Sequence, residues 1–287
     1  MRPIDLLQVL AVVLIWGLNF VAIKTAVTEI PPLALTVLRF LLVGIILTPF
    51  FRPEKTQFKQ LLLLSGTMGV GHFGLLFMGL RGADAATAAL LIQLGVPFSS
   101  ILAAFFFGDR LGWIRAAGMG MAFAGAGLLA GEPEGGTPVA IAALLVSAMC
   151  WAGSNILIKR IPQVHPLTLI GWLSLLAVPP LILMSLLVET DQLIAIRSAD
   201  WKTWTALVYI VLASSIVAYY LWYRLIGRLQ VNQVVPFTLL APVIGVAAGV
   251  WILGEDFTQY KAVGGGLTVA GVAVIQFRQM RVTQSKY

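Results

Sequence analysis

The sequence predicts an all-α integral membrane protein, with ten transmembrane helices arranged as two inverted five-helix repeats around a central cavity. Three observations predict it. The first is composition: 11% of the 287 residues are charged and 59% are hydrophobic, whereas a soluble domain carries about 25% charged residues. The second is ten largely apolar stretches with short connections, each near the ~20 residues a spanning helix needs. The third is a pair of patterns that recur in both halves of the chain.

The ten stretches run over 6–27, 33–51, 58–80, 84–107, 112–130, 138–159, 166–188, 203–226, 231–253 and 259–279. The first is long for a signal-peptide core and is followed by no small-x-small cleavage site, so it is expected to be retained. The single cysteine, Cys150, lies inside the sixth stretch. It cannot close an intramolecular disulfide and reads as a small buried hydrophobe.

The repeat is carried first by Trp16–Lys24, which returns as Trp151–Lys159. Each copy sets a Trp eight residues before a Lys, with an Asn three or four residues after the Trp. Helical spacing puts Trp16, Asn19, Phe20 and Ile23 on one face, and Trp151, Ser154, Asn155 and Ile158 on the matching one. An amide and an indole at mid-depth are costly against lipid, so both faces should look inward. The second pattern pairs Gly108/Gly254, Asp109/Glu255, Arg115/Lys261, Ala116/Ala262, Gly118/Gly264 and Gly120/Gly266 at one fixed offset, with Pro97 matching Pro242 upstream. The expected organisation is a first repeat over 1–130, a periplasmic linker over 131–137, and a second repeat with a cytoplasmic tail over 138–287. Five helices per repeat is an odd number, so the second copy must enter the membrane upside down.

The net charge of +7 is explained by the positive-inside rule and needs no nucleic-acid partner. Thirteen Lys and Arg fall on the side of the N-terminus and five on the other, with Arg39 inside the second stretch. Both termini are therefore expected in the cytoplasm of a multi-pass inner-membrane protein.

The candidate substrate-binding residues are Trp16, Asn19, His72, Gln93, Trp151, Asn155 and Tyr219. The three rings would pack on a flat or cationic solute, and the amides would hydrogen-bond its polar end. His72 reads as cavity lining or as a proton relay. Pro97 and Pro242 each free a carbonyl one turn earlier, and serve as hinges or as packing kinks. Arg39 could snorkel, pair with a carbonyl or an acid, or attract a substrate carboxylate, with a structural role foremost. Trp222 suits an interfacial aromatic belt, and Trp172 and Trp251 suit belt or core. The Gly-rich fifth and tenth helices suit close packing or a dimer contact.

The acids exclude a mechanism. All twelve Asp and Glu lie in loops or in terminal helical turns, so no carboxylate is placed at mid-depth for proton antiport. Facilitated diffusion or exchange by alternating access fits better. Two histidines and one cysteine offer no metal cluster and no nucleophile–base pair. No cofactor and no enzymatic activity is expected.

These residues together resemble the drug/metabolite transporter superfamily, and within it the EamA-type exporters. The resemblance is carried by Trp16-Gly-Leu-Asn19-Phe with Lys24, by Pro32 and Leu38-Arg39-Phe40, by Gly108-Asp109-Arg110-Leu111, by Trp151 to Asn155 with Lys159, by Ile216-Val217 with Tyr219 and Trp222, and by Pro242 with Gly254-Glu255. It spans essentially the whole chain. It implies ten helices, a central cavity between inverted repeats, and export of amino acids or related metabolites, with aromatic and sulfur-containing ones foremost. The protein would be a monomer or homodimer in the bacterial inner membrane. Multidrug or cationic-toxin export is the alternative. The superfamily's small four-helix members use a buried helix-one glutamate, which this chain lacks. A nucleotide-sugar carrier would want more basic groups in the cavity, and a membrane-embedded enzyme would want acid–base machinery.

Overall fold

Long apolar runs in a medium without water must close their backbone hydrogen bonds within each segment, and helices do so. The computed structural model describes residues 2–107, 112–158, 161, 164–226, 228–229 and 231–284. Its long helices are α1 (Pro3–Glu29), α2 (Pro32–Leu47), α3 (Lys55–Gly82), α4 (Ala85–Phe106), α5 (Trp113–Ala130), α6 (Pro138–Ile158), α7 (Pro166–Val188), α8 (Trp201–Trp222, continuing to Ile226), α9 (Val235–Leu253) and α10 (Gln259–Arg278). Nine of these are long and apolar enough to cross a membrane. The other, α2, has 16 residues, about 24 Å at 1.5 Å per residue. It ends at Leu47, short of the expected residue 51, because Pro49 has no amide to donate and its ring crowds the turn before it. A short helix, Gln192–Ser198, fills what the sequence leaves as a loop before α8. The expected basic corners Gly108–Leu111 and Lys159–Arg160 lie outside the described residues.

The packing obeys a two-fold pattern. α5 lies against α10, and α2 against α7, each helix against its own repeat mate. α1 lies against α8 and α9, while its mate α6 lies against α3 and α4. Helix irregularities repeat in the same way. Wide i→i+5 turns occupy Ser65–Gly74 of α3 and Tyr209–Val217 of α8. Tight i→i+3 turns occupy Ile92–Leu94 of α4 and Val235–Leu239 of α9, just before Pro97 and Pro242. A proline cannot donate to the carbonyl four residues earlier, and the chain tightens there.

The α5·α10 pair shows why glycine recurs in both helices. A Cβ added at Gly271 would collide with the carbonyl oxygen of Gly118, and one at Gly125 with that of Gly264. Lipid offers no hydrophobic drive between helices, so close backbone approach supplies the attraction. Thr268 adds a hydroxyl bond to the carbonyl of Gly264 in its own helix (2.8 Å). These glycines pack within the chain. Gly120 and Gly266 instead face open space. Gly271→Val should lower the melting temperature of the detergent-solubilised protein by roughly 3–10 °C, the range overpacking implies. Gly120→Ala should leave it unchanged. Equal melting temperatures for the two variants would show that the crossing is not tight.

Candidate functional site

Two faces are distinguished by the chain itself. The near face holds the start of α1 and the end of α10, and the far face holds the turns that begin α2, α4, α6, α8 and α10. A cavity of about 400 Å³ lies between the repeats, large enough for a small metabolite. Its lining runs from His72 and Leu76 at mid-depth to Ile158, Val235 and Gln276 toward the near face. A larger groove of about 710 Å³, by the α2–α3 connection and Trp172, is a surface concavity without mid-depth polar groups.

The cavity brings together all seven residues that the sequence singles out: Trp16, Asn19, His72, Gln93, Trp151, Asn155 and Tyr219. Trp16 of α1 meets two rings of α8, with centroids 5.3 Å from both Tyr219 and Trp222. Tyr209 ties the same helices by donating its hydroxyl to the carbonyl of Ile15 (2.9 Å). Trp151 of α6 lies flush on Gly95 of α4, where a Cβ would strike the indole. Asn155 donates weakly to Ser99 (3.4 Å). Ser154, on the expected inward face of α6, instead bonds Thr67 and the carbonyl of Cys150, and packs on α3. Pro97 and Pro242 are buried beside the cavity and do not line it.

His72 is held by α6. The Ser147 hydroxyl donates to the carbonyl of His72 (2.8 Å) and lies 2.9 Å from Nδ1, which is also 3.2 Å from the carbonyl of Ser147. The hydroxyl has one proton and the carbonyl none, so Nδ1 carries a hydrogen and Nε2 is the acceptor. The ring stands edge-on to Phe73 at 4.6 Å.

One residue, Trp222, departs from its sequence reading, and the readings of Trp172, Trp251 and Arg39 are narrowed. Trp222 is a cavity wall against Trp16 and no part of an outer belt. Trp172 donates its indole N–H to the carbonyl of Phe51 (2.8 Å), whereas Trp251 is 84% exposed and fits the belt. Arg39 does not snorkel. It is 2% exposed, donates Nε to Ser215 (3.0 Å), and lines the cavity. Gln276 and Ser214 also line it without having been singled out. Arg39 was the one detectable signal among these, as a cation inside an apolar helix.

The far face is closed by carboxylates and lysines. Glu255 accepts from the amides of Ala85 (2.6 Å) and Ala86 (2.9 Å) at the start of α4. Glu189 accepts from Leu33 (2.7 Å) and Ala34 (3.1 Å) at the start of α2. Glu29 accepts from the amide of Asp200 (2.8 Å) and the hydroxyl of Thr203 (2.9 Å) at the start of α8. Helix N-termini carry unpaired amides and partial positive charge, so each carboxylate meets complementary donors. Lys261 is buried, and it joins Asp84 (2.5 Å) and the carbonyl of Asp256 (2.7 Å). Glu132 lies 3.8 Å from the same ammonium and accepts from Thr258 (2.6 Å). Lys24 reaches the carbonyl of Ala83 (2.7 Å). On the near face, buried Asp5 contacts Arg2 (3.2 Å) and Arg228 (3.8 Å).

A helical membrane fold with two internally symmetric halves and a polar, aromatic cavity at mid-depth defines a membrane transporter. The chain belongs to the EamA-like transporter family, whose model matches residues 4–131 and again 138–277. It is 35% identical over 96% of both chains to a protein of Salmonella typhimurium named "Probable amino-acid metabolite efflux pump". A protein of the same name from Escherichia coli K12 is 32% identical over 93% of both chains. A solved crystal structure with 22% identity superposes with a TM-score of 0.63, covering 98% of this chain and 99% of the other.

Burial raises the Glu255 carboxyl above its ordinary 4.5, outweighing the two amide hydrogen bonds that lower it. An acid whose native pKa is raised binds its proton more tightly when folded, so its share of stability grows as pH falls through the native pKa toward 4.5. Melting the wild type and Glu255→Gln at pH 7 and pH 5 should give a difference that shifts in the wild type's favour at pH 5. A difference that stays constant, or shifts the other way, would contradict this assignment.

Proposed function

We propose that this chain exports small amphipathic amino acids, aromatic or sulfur-containing, by alternating access through the cavity between its repeats. The observation that carries the reading is the cavity wall itself. Indole and phenol rings of Trp16, Trp151, Tyr219 and Trp222 supply an apolar clamp, and Asn19, Gln93, Asn155 and Gln276 supply polar groups along the same wall. A solute with one apolar and one polar part satisfies both. The names carried by the Salmonella and Escherichia relatives support its coarser part, efflux of amino-acid metabolites. The buried Arg39 cation disfavours a cationic toxin as substrate.

On this reading the protein sits in a bacterial inner membrane with both termini in the cytoplasm, following the distribution of Lys and Arg. The near face is then cytoplasmic, and the cavity is loaded from that side while the carboxylate contacts hold the far face shut. Pro97 and Pro242, each beside a tight turn, are the positions where α4 and α9 bend as access alternates. Coupling is by facilitated diffusion or exchange, because the acids stand at helix ends and serve as caps.

The test is uptake of labelled phenylalanine and cysteine into liposomes holding purified protein, with and without an imposed pH gradient. Saturable transport that ignores the gradient is the expected result, whereas gradient-driven accumulation would reject the facilitator mechanism. Trp151→Ala and Gln93→Ala should each reduce the initial rate about tenfold, the worth of one stacking or hydrogen-bonding contact. Wild-type rates in both variants at normal expression would remove these residues from the site.

A further inference from the structure

Arg39 sits two turns into α2 with its side chain almost wholly enclosed. Its guanidinium carbon lies 4.1 Å from the ring centre of Phe73, 5.4 Å from Phe40 and 5.6 Å from Phe77. Nε is fixed by Ser215, whose own hydroxyl donates to the carbonyl of Ile210 (2.7 Å). That partner is five residues back, so the wide turn of α8 is what aims the Ser215 lone pair at Arg39. Among the described residues, no carboxylate approaches the guanidinium within 4 Å. Nη1 is buried and has no hydrogen-bond partner.

An arginine stays charged in a protein. A buried guanidinium that served structure alone would be expected to hold an acid, since an unpaired buried charge is strongly unfavourable. Here aromatic faces soften the burial without neutralising the charge. Arg39 lines the cavity, and its charge and unpaired N–H lie directly behind the cavity wall. Asn19 also lines this cavity, and its buried Oδ1 has no partner. An unpaired cationic donor and an unpaired acceptor describe the complement of a zwitterion.

We propose that Arg39 is the carboxylate-binding residue of the transport site, with Asn19 receiving the ammonium group, so that the cavity selects α-amino acids with a free carboxylate. This rests on the reading of the cavity as the amino-acid site. Phenylalanine enters as its zwitterion, with no proton transfer required. Phenylalaninamide keeps the ring and the ammonium and replaces the carboxylate by a neutral amide, so it leaves Arg39 unpaired.

The experiment is competition against labelled phenylalanine in proteoliposomes, using unlabelled phenylalanine and phenylalaninamide. In the wild type, phenylalaninamide should compete about tenfold or more weakly, the worth of a charge-assisted hydrogen bond. Arg39→Gln should bind phenylalanine as poorly as the wild type binds the amide, and Arg39→Lys should keep a reduced preference. Quenching of cavity tryptophan fluorescence in detergent gives the same comparison without transport. Equal competition by the two compounds in the wild type overturns the proposal, and this comparison needs no variant to fold. A folded Arg39→Gln that keeps the full preference also overturns it. A wild type that moves neither phenylalanine nor cysteine instead overturns the underlying amino-acid reading.

Discussion

The structure depends on where it can place carboxylates. A membrane interior tolerates few unpaired charges, and every helix N-terminus brings unpaired amides with it. This chain meets both constraints with the same groups. Glu255, Glu189 and Glu29 each stand at the end of one helix and accept from the start of another. The acids thus leave mid-depth, close the far face, and set the order in which helices meet there. Lys261 and Lys24 complete the closure through Asp84 and the carbonyl of Ala83. What remains at mid-depth is a cavity whose polarity comes from amides, hydroxyls, one imidazole and one guanidinium.

Much of this was legible in the sequence because it follows from period and depth. A run of apolar residues of the right length is read as a spanning helix, and the observed ends fall within a few residues of the expected ones apart from α2, which Pro49 cuts short, and α10, which runs on to Gln284. The Trp16–Asn19–Phe20 and Trp151–Asn155–Ile158 faces followed from helical spacing combined with the expense of showing an amide to lipid. All of these residues meet at one cavity. Ser154 turned away because Thr67 and the Cys150 carbonyl offered it nearer partners, which spacing cannot foretell.

What was not legible depends on contacts between helices far apart in the chain. For Arg39 the sequence left open snorkelling, pairing with a carbonyl or an acid, attraction of a substrate carboxylate, and a structural role, because its distance from the end of α2 allows them all. Its burial is decided by Phe73 and Phe77 of α3 and by Ser215 of α8. Trp222 looked like a belt residue because it lies near a helix end. The wide turn at Tyr209–Val217 rotates the rest of α8 so that this ring meets Trp16. No local signal marks such a turn, nor its counterpart at Ser65–Gly74 in α3.

The two ends of the cavity differ in how readily their contacts can be exchanged. The Glu29–Asp200 bond at the far face is exposed, so water can replace it and its net worth is modest. Lys261 and Glu132 are buried, so breaking their contacts leaves charges unpaired at a larger cost. On the proposed reading, the exposed contacts exchange first as access alternates. Arg39 is placed differently. Its Nη1 is buried without an acceptor, in a side chain that lines the cavity. On the proposed reading, loading the cavity relieves the one strongly unfavourable group at mid-depth, while unloading restores it. The energy that distinguishes occupied from empty carrier is then concentrated at the guanidinium, and the exchangeable caps at the face are left to decide which side opens.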